Sequence, residues 1–306
     1  MSTPNSAERR TGALYATGAF VAWGLFPLYF YFIKHVPALE VVLQRSVWSL
    51  LFVLLILAWR GQWAWLRVSL SKGRQWLLFA CTGSLVMCNW FVYVYAVQSD
   101  QVVEASLGYF INPLVSVLLG VLVLKERLQP VQKAAVALAL AGVVWLTVAA
   151  GRLPWVALVL ACSFGLYGLL RKTAPLGALE GLALESLLLA PLTVPALLWL
   201  QAYGGGVLVQ GPASLVGLLL LAGPLTALPL LMFSAGARRL PLSTIGMLQY
   251  LSPTLQLLLA VFVFGEPFQL QRLVGFVLIW LALALVSVSA LGLGPWSTRP
   301  VPLPPA

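Results

Sequence analysis

Two residues of opposite charge interrupt long apolar stretches of this chain. Arg45 and Glu185 stand 140 positions apart, each about five to seven residues into a run rich in Leu, Val and Ala. A charge deep in a bilayer-spanning helix costs roughly 2.5–3.5 kcal/mol on insertion scales, so it normally faces a polar interior. On that reading Arg45 holds an anionic group of a substrate and Glu185 holds a cation or a proton. The structural alternatives are an ion pair with Glu104 or another neighbour, and snorkelling to the interface.

A second group of polar residues surrounds two prolines. The stretch Glu104-Ala-Ser106-Leu-Gly108-Tyr109-Phe-Ile-Asn112-Pro113 puts Glu104, Gly108 and Asn112 on one helical face, and Ser106, Tyr109 and Pro113 on the next. A mid-helix proline frees the carbonyl four residues before it. Pro113 would free that of Tyr109, and Pro253 that of Gln249. Freed carbonyls at matching depth are candidate ligand acceptors, and a plain packing kink is the alternative. Asn89, Trp90, Tyr167, Gln249 and Tyr250 are further polar or aromatic candidates for the lining of a cavity. Glu185 and Glu104 are the candidates for proton coupling. Glu40 and Glu180 begin helices, where a carboxylate suits the helix dipole.

Other chemistries lack their residues. The chain has one histidine, His35, one aspartate, Asp100, and three cysteines, Cys81, Cys88 and Cys162, inside apolar runs. That set makes neither a zinc site nor a disulfide framework. No phosphate-binding GxxxxGK, HExxH or GxSxG motif occurs. We therefore expect no enzyme, no cofactor and no metal, and no ATPase subunit is implied.

The elements that must position these residues follow from composition. Of 306 residues, 61% are hydrophobic and 8% charged. So few polar groups cannot cover a soluble domain. The net charge of +10 comes from basic residues lying between apolar runs, the pattern of cytoplasmic loops rather than of nucleic-acid binding. Apolar runs fall near 12–33, 40–59, 76–97, 102–124, 131–149, 153–171, 178–200, 214–236, 242–264 and 270–291. Each can span a bilayer as a helix of roughly 20 residues, and lipid excludes open strands. The first run follows Arg9 and Arg10 and is read as a retained helix rather than a cleaved signal. With the N-terminus inside, fourteen basic residues face the cytoplasm and three, Lys34, Arg152 and Arg272, face outward. The expected topology is therefore N-in and C-in.

A shift of 140 residues aligns the chain with itself. Leu39-Glu40 meets Leu179-Glu180, Gly83 meets Gly223, Phe110-Ile-Asn-Pro113 meets Tyr250-Leu-Ser-Pro253, and Glu126 meets Glu266. Five helices per unit is an odd number, so the units would have opposite orientation, as in many secondary transporters. The expected fold is an all-α integral membrane protein of ten transmembrane helices. Its first repeat covers residues 12–149 and its second 153–291, around a central midplane cavity; 292–306 form a proline-rich cytoplasmic tail.

Gln44-Arg45 with Trp48-Ser49, Asn89-Trp90, the block EASLGYFINPL from Glu104 to Leu114, Gly168-Leu169 with Arg171-Lys172, Gln249-Tyr250 with Pro253-Thr254, and Gly265-Glu266 resemble the drug/metabolite transporter superfamily. The likeness is to its EamA-type transporters of the RarD (chloramphenicol-sensitive protein) group, and it runs from about residue 10 to 290. The second repeat departs at Glu266-Pro267, where Gly-Glu-Lys is common in such proteins. The resemblance implies a multi-pass inner-membrane protein that exports small metabolites or drug-like molecules. The expected function is therefore a secondary transporter working by alternating access, with a small molecule and the lipid bilayer as its partners. A channel-like facilitator, and a membrane enzyme or lipid-handling protein, are the alternatives.

Overall fold

The computed structural model describes residues 6–61, 63–66, 73–98, 102–150, 155–265 and 270–290. Within these the chain is helical, with no strand. We number the elements α1 (Ser6–Gly24), α2 (Phe26–Phe32), α3 (Ala38–Arg60), α4 (Gly73–Gln98), α5 (Val102–Leu122), α6 (Pro130–Ala150) and α7 (Trp155–Thr173). There follow α8 (Ala178–Tyr203), α9 (Val207–Gln210), α10 (Ala213–Ala237), α11 (Leu242–Gln249), α12 (Leu251–Phe262) and α13 (Leu270–Ala290). Helix occupies the apolar runs seen in the sequence. Among the described residues seven helical stretches are long and apolar enough to cross a membrane; Gly108–Leu122 and Leu273–Leu285 are shorter apolar helices.

Two runs expected as single helices are broken. The first divides at Leu25, between α1 and α2. Pro27 cannot donate to the carbonyl of Trp23, and that carbonyl instead accepts from Gln256 Nε2 at 3.1 Å. The other divides at Tyr250, between α11 and α12, three residues before Pro253. The two breaks face each other: Ser252 Oγ donates to the carbonyl of Phe20 at 2.6 Å. By contrast α5 runs unbroken through Pro113.

The helices pack in a definite set of pairs. α5 lies on α7 and α1 on α11 and α12; α3 lies on α10 and α4 on α8; α1 lies on α10 and α4 on α7. Three further pairs are α3 with α8, α5 with α11, and α6 with α13. Small residues set the tightest crossings. A Cβ on Gly223 would stand 2.5 Å from the Trp48 backbone, and one on Gly246 would stand 2.6 Å from the Pro113 carbonyl oxygen. The outer faces are the reverse of a soluble protein's: Trp59 is 87% exposed, Phe262 79% and Leu55 69%, as expected where acyl chains are the solvent.

Candidate functional site

Between α1, α2, α3, α4, α5, α7, α10, α11 and α12 lies a cavity of about 830 Å³, the size of pockets that take drug-sized ligands. One end of it rests on buried residues, among them Phe20, Leu230, Gln249 and Ser252. The other end reaches the exposed residues Tyr31, Phe32, Lys34 and Val263. At that end the Tyr31 ring stacks on Phe264 at 5.4 Å and Lys34 Nζ sits over Tyr31 at 4.9 Å.

Arg45 lines this cavity. It stands on the second turn of α3, in a segment where Glu40 to Ser46 are all buried. Its Nε–H donates to Thr226 Oγ1 on α10 at 2.9 Å. Its guanidinium carbon lies 4.6 Å from the Trp90 ring centre, 5.6 Å from Phe26 and 5.7 Å from Phe30. Such cation–π contacts offset part of the cost of burying the charge.

Asn89, Trp90, Tyr109, Gln249 and Pro253 also line the cavity. Asn89 is tied down, its Nδ2 donating to the Leu160 carbonyl and to Ser163 Oγ, both at 2.9 Å. Gln249 Oε1 accepts from Ser116 Oγ on α5 at 3.0 Å. Tyr109 packs edge-on against Tyr93 at 5.9 Å. Asn112, Tyr167 and Tyr250 are buried and are not on the cavity wall. Pro113 belongs to the α5–α11 crossing, through its carbonyl oxygen near Gly246. The side chains of Glu104 and Ser106 lie outside the described residues.

Glu185 is not beside Arg45. Its Oε1 lies 3.6 Å from Arg171 Nη1, both side chains being buried, so the two form an ion pair too long for a hydrogen bond. A void of about 30 Å³ adjoins Glu185 and is lined also by Ser46, Ser49 and Trp90. Trp90 thus stands between Glu185 and the main cavity. Arg171 Nε donates to Ser234 Oγ at 3.0 Å, and its Nη2 to the Ala178 carbonyl at 3.0 Å. A Cβ on Gly181 would collide with the guanidinium and crowd the Phe79 ring, so any side chain there would have to displace them.

Sequence reasoning counted Arg171 among loop charges. It lies in the last turn of α7 and is 1% exposed. It closes the apolar run 153–171 and is followed by Lys172, so the sequence does not set it apart from a loop cation. Thr226 and Pro27 were also passed over, although each is a lone non-aliphatic residue or a helix breaker in an apolar segment.

Arg171, Lys172 and Arg238 staple one end of the bundle, which we term the basic end. Lys172 Nζ donates to the carbonyls of Ala237 and Leu240, and Arg238 Nη1 to those of Ala174 and Leu176. Here too Glu126 caps α11. Its carboxylate accepts from Leu242 N at 2.6 Å, Ser243 N at 2.9 Å and Ser243 Oγ at 2.7 Å. Lys125 turns the chain with φ +54°, the left-handed region that a non-glycine residue adopts infrequently. Gly120 leaves room for the carboxylate, since a Cβ there would stand 2.7 Å from Glu126 Oε2. At the opposite end Glu40 is buried rather than merely set at a helix start. It accepts from Gln201 Nε2 at 2.8 Å and Val207 N at 2.9 Å, joining α3 to α8 and α9.

The model of the EamA-like transporter family matches residues 10–148 and again 153–288. An uncharacterized transporter of Pseudomonas aeruginosa is 47% identical over 296 residues, covering 93% of this chain and 96% of its own. Protein RarD of Streptomyces exfoliatus is 45% identical over 287 residues, covering 93% of this chain and 90% of its own. A solved crystal structure 20% identical in sequence superposes with a TM-score of 0.68, covering 92% of this chain and 98% of that chain. At that identity the likeness concerns the fold.

Proposed function

From the premise that the chain belongs to the EamA-like transporter family, and is thus a multi-pass protein of the cell membrane, we propose that it is a secondary transporter that exports small molecules by alternating access. The observation that carries this reading is the cavity of about 830 Å³ that reaches exposed residues at one end and rests on buried ones at the other. A site reachable from one side at a time is what a carrier needs, and a channel needs a path open at both ends.

The proposal includes ten spans in two inverted five-helix repeats, residues 12–149 and 153–291, with N-in and C-in topology. In this scheme α1 with α2 corresponds to α7, α3 to α8, α4 to α10, α5 to α11 with α12, and α6 to α13. The helix pairs support it. Exchanging the halves turns α5–α7 into α12–α1, α3–α10 into α8–α4 and α1–α10 into α7–α4, while α3–α8, α5–α11 and α6–α13 map onto themselves. Such pairings support an approximate twofold axis between the halves. The two separate matches of the family model support the same division. With the N-terminus inside, the basic end is cytoplasmic and the cavity opens outward.

Proton coupling is part of the proposal, with Glu185 as the coupling group and Glu104 as the second candidate. Glu185 faces Arg171 and Tyr167 from α7 and Thr82 from α4, and protonation would remove the charge that holds Arg171. The experiment is counterflow into liposomes loaded with members of a metabolite panel, repeated with and without an imposed pH gradient. A carrier accumulates labelled cargo transiently against its gradient. Absence of counterflow for a compound that permeates would favour the channel-like alternative. Flux indifferent to the pH gradient would remove coupling.

A further inference from the structure

We propose that the cargo is an organic anion: one carboxylate, held by Arg45, on an apolar, ring-sized body. This deepens the transporter reading and rests on it for the identity of the cavity as the cargo site.

The first observation is a charge with no counter-charge among the described residues. Arg45 is 8% exposed. Among the described residues its hydrogen bond is the one from Nε to Thr226, and it forms no ion pair. A guanidinium carries five N–H donors in a planar fork, so its Nη groups are left to the cavity that it lines. A buried charge is normally paired or fully hydrogen-bonded, because desolvation is costly. The cation–π contacts with Trp90, Phe26 and Phe30 supply no hydrogen-bond acceptor, and among the described residues Thr226 is the acceptor for this guanidinium.

The second observation is the sign of the remaining wall. Its charged residues among those described are Arg45 and, at the rim, Lys34; no carboxylate is among them. Glu185, the other charge placed deep in an apolar run, is engaged by Arg171 behind Trp90. Like-signed charge in a low-dielectric cleft concentrates anions and opposes cations. A cationic or ammonium-bearing cargo would therefore meet repulsion here.

The third observation is shape. Aromatic rings surround the charge, with Trp23, Phe26, Phe30, Trp90, Tyr93 and Tyr109 on the wall. A single buried fork suits the two oxygens of a carboxylate, and a more highly charged phosphate would call for further cations. Ring faces suit an apolar planar body.

The test uses the purified full chain in nanodiscs and three near-isosteric probes: phenylacetate (anion), phenylacetamide (neutral) and phenethylammonium (cation). Affinity is read by isothermal titration and by thermal stabilisation. Phenylacetate is expected to bind about tenfold or more tighter than the amide, the effect of one charge-assisted contact, and the cation weakest. Arg45→Gln should bring the anion and the amide to equal affinity, and Arg45→Lys should restore part of the preference. If Arg45→Gln does not fold, the wild-type charge order decides. Equal binding of the three, no binding of the anion, or a preference that survives in Arg45→Gln would each overturn the assignment. Counterflow with a neutral or cationic cargo would overturn it and leave the transporter reading standing. Anion binding without counterflow would do the reverse.

Discussion

The Glu126 cap on α11 gives the sharpest handle on the conformational cycle. It joins the turn after α5 to the start of α11 at the basic end, through two backbone N–H groups and one hydroxyl. α5 and α11 pack on each other and enclose Gln249, on whose level the cavity ends. Opening the cavity toward the basic end would separate them and break the cap. Removing a helix N-cap costs about 0.5–2 kcal/mol, and the lost carboxylate at the helix dipole adds about 0.3–1 kcal/mol. If the contact exists only in the closed form, Glu126→Ala shifts the equilibrium toward the open form by about 1–3 kcal/mol, or roughly 5- to 150-fold. Ser116, 2% exposed and bonded to Gln249, reports on the same crossing. The assay places Ser116→Cys in a background with Cys81, Cys88 and Cys162 replaced by alanine, and follows its labelling by a membrane-permeant maleimide. Labelling should accelerate at least about 5-fold in Glu126→Ala and less in Glu126→Gln, which keeps an acceptor. Glu40→Gln, at the opposite end, should leave it unchanged. Equal labelling rates with and without the Glu126 carboxylate, in proteins of equal melting midpoint, would refute the reasoning.

Four further outcomes are expected. Glu185→Gln leaves Arg171 buried without its counter-charge and should cost about 3–5 kcal/mol, read as a fall in melting midpoint in detergent. The double variant Arg171→Met with Glu185→Leu should recover most of that loss. Gly181→Val puts methyl groups where the Arg171 guanidinium and the Phe79 ring stand, and should lower the midpoint by the same route; an unchanged midpoint would mean that the pair contributes little. Gly246→Leu forces α11 from the Pro113 carbonyl, and is expected to abolish the monodisperse peak in size-exclusion chromatography.

Much of the fold is legible in the residues themselves. Apolar runs of bilayer length leave helix as the one state that satisfies backbone groups in lipid, and the structure has helix in those runs. The helix breaks are less legible, because a proline's effect depends on what replaces its lost bond. Pro27 accompanies a break where Gln256 takes the Trp23 carbonyl, while Pro113 sits in a continuous α5.

The site divides in the same way. The sequence by itself determined that Arg45 and Glu185 occupy costly positions, since burying charge in hydrocarbon is expensive wherever it happens. Only the tertiary structure decided their company. Glu185 meets Arg171, a residue whose position near a helix end looks like that of any loop cation, and Arg45 meets aromatic rings and Thr226. Sequence spacing fixes which residues share a helix face. Which faces meet depends on how close the small residues let the helices come, as at Gly223 on Trp48 and Gly246 on Pro113, and that is a property of the packed bundle.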